Sequence, residues 1–263
     1  MTVTRIDILR ELELLPVWRL REPVVNAAED ASVIEPEPQS VAQAASPAAT
    51  METSAAVPAT AAAPDRHPLI MQMDWPELKQ AVAACEACSL ASTRTQTVFG
   101  VGDEHAEWLF VGEAPGAEED KRGEPFVGAA GQLLDNMLGA IQLKRGENVY
   151  IANVLKCRPP QNRDPQGEEV VKCDPFLKRQ VELIKPKLIV ALGRFAAQSV
   201  LATEQSIGAL RGKLHDYHGV PVIVTYHPAY LLRNLPDKAK AWEDLCFARA
   251  TMRNLQSADS PAS

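Results

Sequence analysis

Lys187-Leu188-Ile189-Val190-Ala191-Leu192-Gly193 is the stretch from which the fold can be read. Five consecutive apolar residues closed by a glycine are too few for a helix and describe a strand buried on both faces; a half-buried strand would alternate. Outward from this run the same pattern recurs. Upstream lie Trp108-Leu109-Phe110-Val111, ending in Gly112, and Val149-Tyr150-Ile151-Ala152-Asn153-Val154; downstream lies Pro221-Val222-Ile223-Val224-Thr225. Helical spacing is expected over 133–143, 195–201 and 237–255. Asp74-Trp75-Pro76-Glu77 reads as a helix start that places Leu78, Val82 and Cys85 on one face. Unbroken apolar strands alternating with helices predict an α/β fold, with a parallel sheet covered on both sides. In such sheets the chemistry collects at the carboxyl ends of the strands, here after Val111, Ala152 and Thr225.

The whole chain has 263 residues, 27 Lys+Arg against 34 Asp+Glu, and a net charge of −7. Its 46% hydrophobic content suffices for a proper core. No window approaches ~18 consecutive apolar residues, which excludes a membrane-spanning helix. The amino terminus lacks a basic-then-apolar signal, so a cytoplasmic location is expected. An acidic total argues at first against nucleic acid, but the charge is uneven. Residues 1–65 hold four Arg and ten Asp+Glu, net −6, which leaves the rest at −1. Basic loops on that nearly neutral part can still bind a polyanion.

Four segments are expected. Residues 1–22 form a short amphipathic peptide, with Ile6, Leu9, Leu12, Leu14 and Leu15 followed by Val17-Trp18-Arg19-Leu20-Arg21. It suits either a docking peptide or a helix folded back on the domain. Residues 23–68 form an Ala/Pro-rich disordered linker: 14 Ala and 5 Pro occupy the 38 positions of 27–64, too little apolar area to offset chain entropy. Residues 69–256 form the folded domain and 257–263 a flexible tail.

Five cysteines without a secretory signal point away from a disulfide framework. Cys85 and Cys88 form a C-x-x-C, Cys157 follows the second strand, and Cys173 lies 16 positions further on. Four thiolates so arranged can enclose a soft metal or an iron–sulfur cluster. Two short knuckles would suit zinc better, and four buried thiols remain the plain alternative. Cys246 shares a helical face with Trp242, Leu245, Arg249 and Met252 and is expected in the core.

Three loops carry the candidate chemistry. Gly112-Glu113-Ala114-Pro115-Gly116-Ala117-Glu118-Glu119-Asp120 combines a tight backbone path with carboxylates, which suits developing positive charge or a positioned water. After it, Phe126, beside small residues, offers a stacking face or is ordinary core. Asn153 at a strand end offers a donor and an acceptor together, and Lys156, Arg158 and Arg163 supply local positive charge for phosphates. In the last loop His227 sits at a strand's carboxyl end, and Leu231, expected to be exposed, can wedge into a base stack.

Taken together, these residues closely resemble the family 4 uracil-DNA glycosylases, from about Trp75 to about Arg253. The resemblance rests on Gly112-Glu113-Ala114-Pro115-Gly116, on Phe126-Val127-Gly128 with Ala130-Gly131, on Asn153-Val154-Leu155-Lys156-Cys157-Arg158-Pro159-Pro160, and on His227-Pro228-Ala229-Tyr230-Leu231-Leu232-Arg233. It implies a three-layer α/β/α sandwich around a four-stranded parallel sheet. It implies a [4Fe-4S] cluster on Cys85, Cys88, Cys157 and Cys173, expected to fix the loop 158–172. The implied activity is a monofunctional DNA repair glycosylase that flips uracil out of DNA and hydrolyses its N-glycosidic bond, leaving an abasic site.

The implied roles follow residue by residue. Glu113 and His227 are catalytic; Gly112, Ala114, Phe126, Asn153 and Glu119 bind uracil, Glu119 excluding a C5 methyl; Arg158, Arg163, Leu231 and Arg233 bind DNA. Ala114 stands where family 1 enzymes place an aspartate, so water activation is less direct here. The loop after the second strand lacks the Arg-rich, His-containing insert of a related branch that cross-links to DNA. Residues 1–21 resemble the peptide by which the psi subunit docks on the bacterial clamp loader, which implies a replication partner. A monomer with no membrane contact is expected.

Overall fold

In the computed structural model, residues 66–258 are described. The four apolar runs become β2 (Trp108–Gly112), β3 (Val149–Asn153), β4 (Leu188–Leu192) and β6 (Val220–Thr225), which pair in parallel in the order β3-β2-β4-β6. Two strands not foreseen extend this sheet to six. β1 (Val101–Gly102) and β5 (Leu214–Tyr217) pair antiparallel at the two edges, against β3 and β6. The register brings Gly112 opposite Asn153 and Leu192 opposite Thr225, so the strand ends lie level at one edge of the sheet.

The helices are α1 (His67–Ile70), α2 (Trp75–Ala83), α3 (Ala117–Arg122), α4 (Ala129–Ala140), α5 (Gly167–Ile184), α6 (Arg194–Leu201), α7 (Ile207–Leu210), α8 (Pro228–Arg233) and α9 (Lys238–Ala258). Side chains alternate across a strand, so each apolar run divides into two half-cores. Leu109, Val111, Ile189 and Ala191 face one layer with Leu177 of α5 and Val200 of α6. Phe110, Val190 and Leu192 face the other, against Leu134 and Leu138 of α4 and Leu245 and Met252 of α9. This is a three-layer α/β/α arrangement. Each fully buried large apolar side chain contributes about 1.5–3 kcal/mol, so these half-cores dominate the stability.

Two expectations are corrected here. α5 replaces the far end of the loop foreseen over 158–172, and Cys173 lies inside this helix despite Pro175. Cys246 is exposed, with Trp242 at 47%, because α9 turns Ala241, Asp244, Leu245, Ala248, Thr251 and Met252 inward. The foreseen start of α2 is a full capping box: Glu77 N–H donates to Asp74 Oδ1 at 2.9 Å, and Asp74 N–H to Glu77 Oε2 at 3.0 Å. The amphipathic peptide and residues 23–65 of the linker lie outside the described residues. Described structure starts at Arg66, and α9 runs to Ala258. Among the described residues, no helix is long and apolar enough to cross a membrane.

Leu134 is fully buried between α4 and the sheet. Leu134→Ala should lower unfolding free energy by about 2–5 kcal/mol in urea titration. A loss below about 1 kcal/mol would mean that this layer does not hold α4.

Candidate active site

The loops beyond β2, β3 and β6 meet around a single cavity of about 720 Å³, where Glu113, Phe126, Asn153 and His227 all reach the wall. What lets them meet is a missing side chain. A Cβ on Gly112 would lie 2.4 Å from Asn153 Oδ1 and 2.6 Å from Phe126 Cζ, so the amide and the ring close over this position. Asn153 is 2% exposed, and its Oδ1 has no hydrogen-bond partner. A buried acceptor left unpaired costs about 1–3 kcal/mol, which a ligand donor in the cavity would remove.

Phe126 adopts a φ of 55°, in the left-handed region that disfavours a bulky residue. Its neighbours impose that backbone. Arg145 donates from Nη1 to Pro125 O at 2.9 Å and from Nη2 to Phe126 O at 2.8 Å. Glu119 Oε1 accepts from Val127 N and Gly128 N at 3.0 and 3.2 Å. Gly131 gives the Phe126 carbonyl room that a Cβ, at 1.8 Å, would abolish. The ring is thereby held 5.5 Å from the His227 ring, centroid to centroid.

His227 caps α8: Ala229 N–H donates to its Nδ1 at 3.1 Å. Nδ1 is therefore an acceptor, and the neutral ring carries its proton on Nε2. Burial, followed by repulsion from Arg233, pulls the imidazole pKa down to about 4, with Glu119 opposing. Glu113 shifts the other way, up to about 7, through burial first and Asp164 second, with Arg194 opposing. The site thus pairs a neutral histidine donor with a carboxyl group poised near neutrality.

The basic residues divide. Arg233 and Arg194 reach the cavity, the latter with its guanidinium 4.4 Å over the Phe195 ring and Nη2 3.5 Å from Asp164 Oδ2. Arg194 escaped sequence reasoning, although it follows Gly193 directly at a strand's carboxyl end. Arg158 Nε donates to Asn162 Oδ1 at 2.7 Å and does not line the cavity. Arg163 also lines the cavity, and it grips the buried Glu169 carboxylate with both terminal nitrogens, at 3.0 and 2.5 Å. Two expectations are corrected. Lys156 is buried at 1% exposure and out of reach of a phosphate. Leu231 is also 1% exposed and packs with the α4 and α9 side of the core, because α8 turns Pro228 and Leu231 inward; its neighbour Leu232 is 42% exposed. Of the other foreseen residues, Ala114 and Glu119 line the cavity.

The four cysteines Cys85, Cys88, Cys157 and Cys173 line a second cavity, and none is in a disulfide. Three of their sulfurs accept N–H groups: Cys85 from Arg66 Nη1 at 3.2 Å, Cys157 from Arg94 Nη1 at 3.2 Å, and Cys173 from the Lys156 backbone at 3.3 Å. Burial nonetheless pushes the Cys157 thiol up and that of Cys173 up to about 12, against the opposing Arg94 and Lys156. Such thiols ionise when a metal centre takes them as ligands. Among the described residues, no three His, Cys, Asp or Glu side chains converge on the position of one metal ion. Four thiols lining one cavity are a donor set for a soft metal or an iron–sulfur cluster.

The family model of the Uracil DNA glycosylase superfamily matches residues 99–246. The chain is 51% identical over 164 residues to the type-4 uracil-DNA glycosylase of Archaeoglobus fulgidus, across 59% of this chain and 82% of that protein. Over 159 residues it is 48% identical to the type-4 enzyme of Thermotoga maritima, across 60% of this chain and 82% of the relative. The type-4 enzyme of Pyrobaculum aerophilum is 40% identical over 183 residues, across 66% and 93%.

The tautomer and burial of His227 make a direct prediction. Its imidazole NMR shifts should stay flat from neutral pH to about 5 and move only near 4. A transition near the ordinary value of ~6.5 would contradict the buried, backbone-bonded ring.

Proposed function

The chain belongs to the Uracil DNA glycosylase superfamily, and on that premise we propose how its own residues remove uracil from DNA. The activity is that of a uracil-DNA glycosylase: hydrolysis of the N-glycosidic bond between uracil and deoxyribose, the first step of base excision repair. The observation that carries the assignment of residues is the convergence of Glu113, Phe126, Asn153 and His227 on one cavity, with Asn153 Oδ1 unpaired.

A base inside a duplex is out of reach, so the nucleotide is everted at a cost of a few kcal/mol. Phe126 stacks on the everted ring. Asn153 Oδ1 accepts from uracil N3–H while its amide donates to O4; cytosine presents the opposite pattern and leaves both groups mismatched. Glu119, anchored by two backbone amides, forms a rigid wall that excludes a C5 methyl. As the glycosidic bond breaks, uracil leaves as an anion and the sugar becomes oxocarbenium-like. His227 donates from Nε2 to O2 and stabilises that anion without first having to lose a proton. Glu113, once ionised, balances the sugar cation and orients the water; Ala114 offers no carboxylate for that work. Arg233, Arg163, Arg158 and Arg194 grip phosphates, and exposed Leu232 takes the wedge role foreseen for Leu231.

The cysteine quartet fits a [4Fe-4S] cluster held by Cys85, Cys88, Cys157 and Cys173. When bound, such a centre would cross-link the end of α2, the strand exit at Cys157 and α5, in a cavity distinct from the one that Glu113 and His227 line. Arg66 and Arg94 then offset the negative charge of its thiolates through the N–H contacts at Cys85 and Cys157.

Uracil excision from an oligonucleotide tests the assignment. His227→Ala should slow it at least tenfold, or ~1.4 kcal/mol of barrier, and Asn153→Ala should do the same chiefly on uracil recognition. Near-normal excision by either variant would overturn its role. The pH profile adds a second reading. Glu113 acts ionised, so kcat/KM should rise with pH up to about 7 and level above it, and Glu113→Gln should lose that limb. A profile unchanged by Glu113→Gln would remove the carboxylate from the mechanism. Purified protein should carry about four iron and four sulfide per chain, and stoichiometric zinc in their place would refute the cluster.

A further inference from the structure

Lys156 is one of the largest fully buried side chains in the protein, and the proposed chemistry makes no use of it. An ammonium is withdrawn from water only where it finds acceptors. Here Nζ donates to the main-chain oxygen of Asn153 at 2.8 Å and to Gln180 Oε1 at 2.6 Å. Gln180, itself 0% exposed on α5, is oriented by its own Nε2, which donates to Phe99 O at 3.0 Å. The other end of Lys156 belongs to the cysteine cavity. Its backbone N–H donates to Cys173 Sγ at 3.3 Å, the residue lines that cavity, and the next residue is Cys157. One residue therefore touches two cysteines and holds the peptide of Asn153.

Its position gives that grip a consequence. Asn153 is the last residue of β3, and beyond it the chain is held by Val154 N donating to Gly112 O and Leu155 N to Glu113 O, both at 3.0 Å. An amide that reads a base must be fixed within a fraction of an ångström, and at a strand end the backbone is the first thing to yield. We propose that Lys156 is a positioning residue for Asn153: its ammonium locks the base-reading peptide to α5 through Gln180, so that the cysteine cavity and the uracil pocket share one rigid lever. This deepens the reading of Asn153 as the uracil-contacting residue and rests on it.

The test uses the full-length protein as purified, with Lys156→Met, which keeps the stem and removes the charge, and Gln180→Met, which removes only the second acceptor. Iron per chain, circular dichroism, affinity for free uracil, and kcat and KM on a uracil-containing oligonucleotide are read side by side. Lys156→Met should retain its iron, weaken uracil binding and raise KM by about tenfold, and change kcat far less; Gln180→Met should move the same quantities in the same direction by less. Placed on an Asn153→Ala background, Lys156→Met should add little, because it acts through Asn153. Should Lys156→Met fail to fold, Gln180→Met alone and in that double variant carries the decision. Unchanged uracil affinity in the folded variants, a full additive loss on the Asn153→Ala background, or a loss that merely tracks missing iron would overturn the proposal. If Asn153→Ala itself leaves uracil affinity intact, the base-reading assignment fails, which is a distinct result from failure of the lever.

Discussion

The site depends on a close approach at the carboxyl end of β2. Gly112 stands opposite Asn153 in the register, with the ring of Phe126 beside it, and no other residue type would let the three meet. Everything chemical is arranged about that contact. The parallel register levels the strand ends, and the loops leaving them carry Glu113, Asn153 and His227 to a common cavity. Gly193 repeats the device on the far side: with a φ of 90° it allows the His227 Cβ to approach to within 2.8 Å of where its own Cβ would stand. Close packing of backbone, rather than a long flexible side chain, is what preorganises the pocket.

The electrostatics follow from burial. One environment drives His227 toward the neutral donor and Glu113 toward neutrality, so the two groups reach complementary states at ordinary pH. The cysteine cavity shows the opposite economy of charge. The sulfurs of Cys157 and Cys173 resist ionisation, yet Arg66, Arg94 and Lys156 already line the cavity, an arrangement that suits ligands which become thiolates on binding. The two sites are joined through the short path from Asn153 to Cys157.

Much of this was legible in the chain. The four central strands were readable because each is an unbroken apolar run, a pattern that only a doubly covered sheet demands. The edge strands were not: β1 has two residues, and β5 is the polar stretch Leu214–Tyr217 with one buried position. α5 was hidden by Pro175 and a charged outer face, although Glu169, Phe176, Leu177, Gln180, Val181 and Ile184 are buried along its length with the spacing of one helical face. The letters of the last loop did not show which leucine would face solvent, because the rotation of a six-residue helix turns Leu231 into the core and leaves Leu232 exposed. Ion pairing was invisible as well: nothing in the spacing announced that Arg163 would be claimed by Glu169, or that Lys156 would turn inward. Side-chain partners of this kind are set by tertiary packing, not by local pattern.

The most direct test of the whole account is a crystal structure of the protein with uracil bound. The account predicts the base inside the cavity, its face on Phe126, N3–H within hydrogen-bond distance of Asn153 Oδ1, and O2 turned to His227 Nε2. Uracil seated elsewhere, or seated there with Asn153 Oδ1 still unpaired, would contradict it.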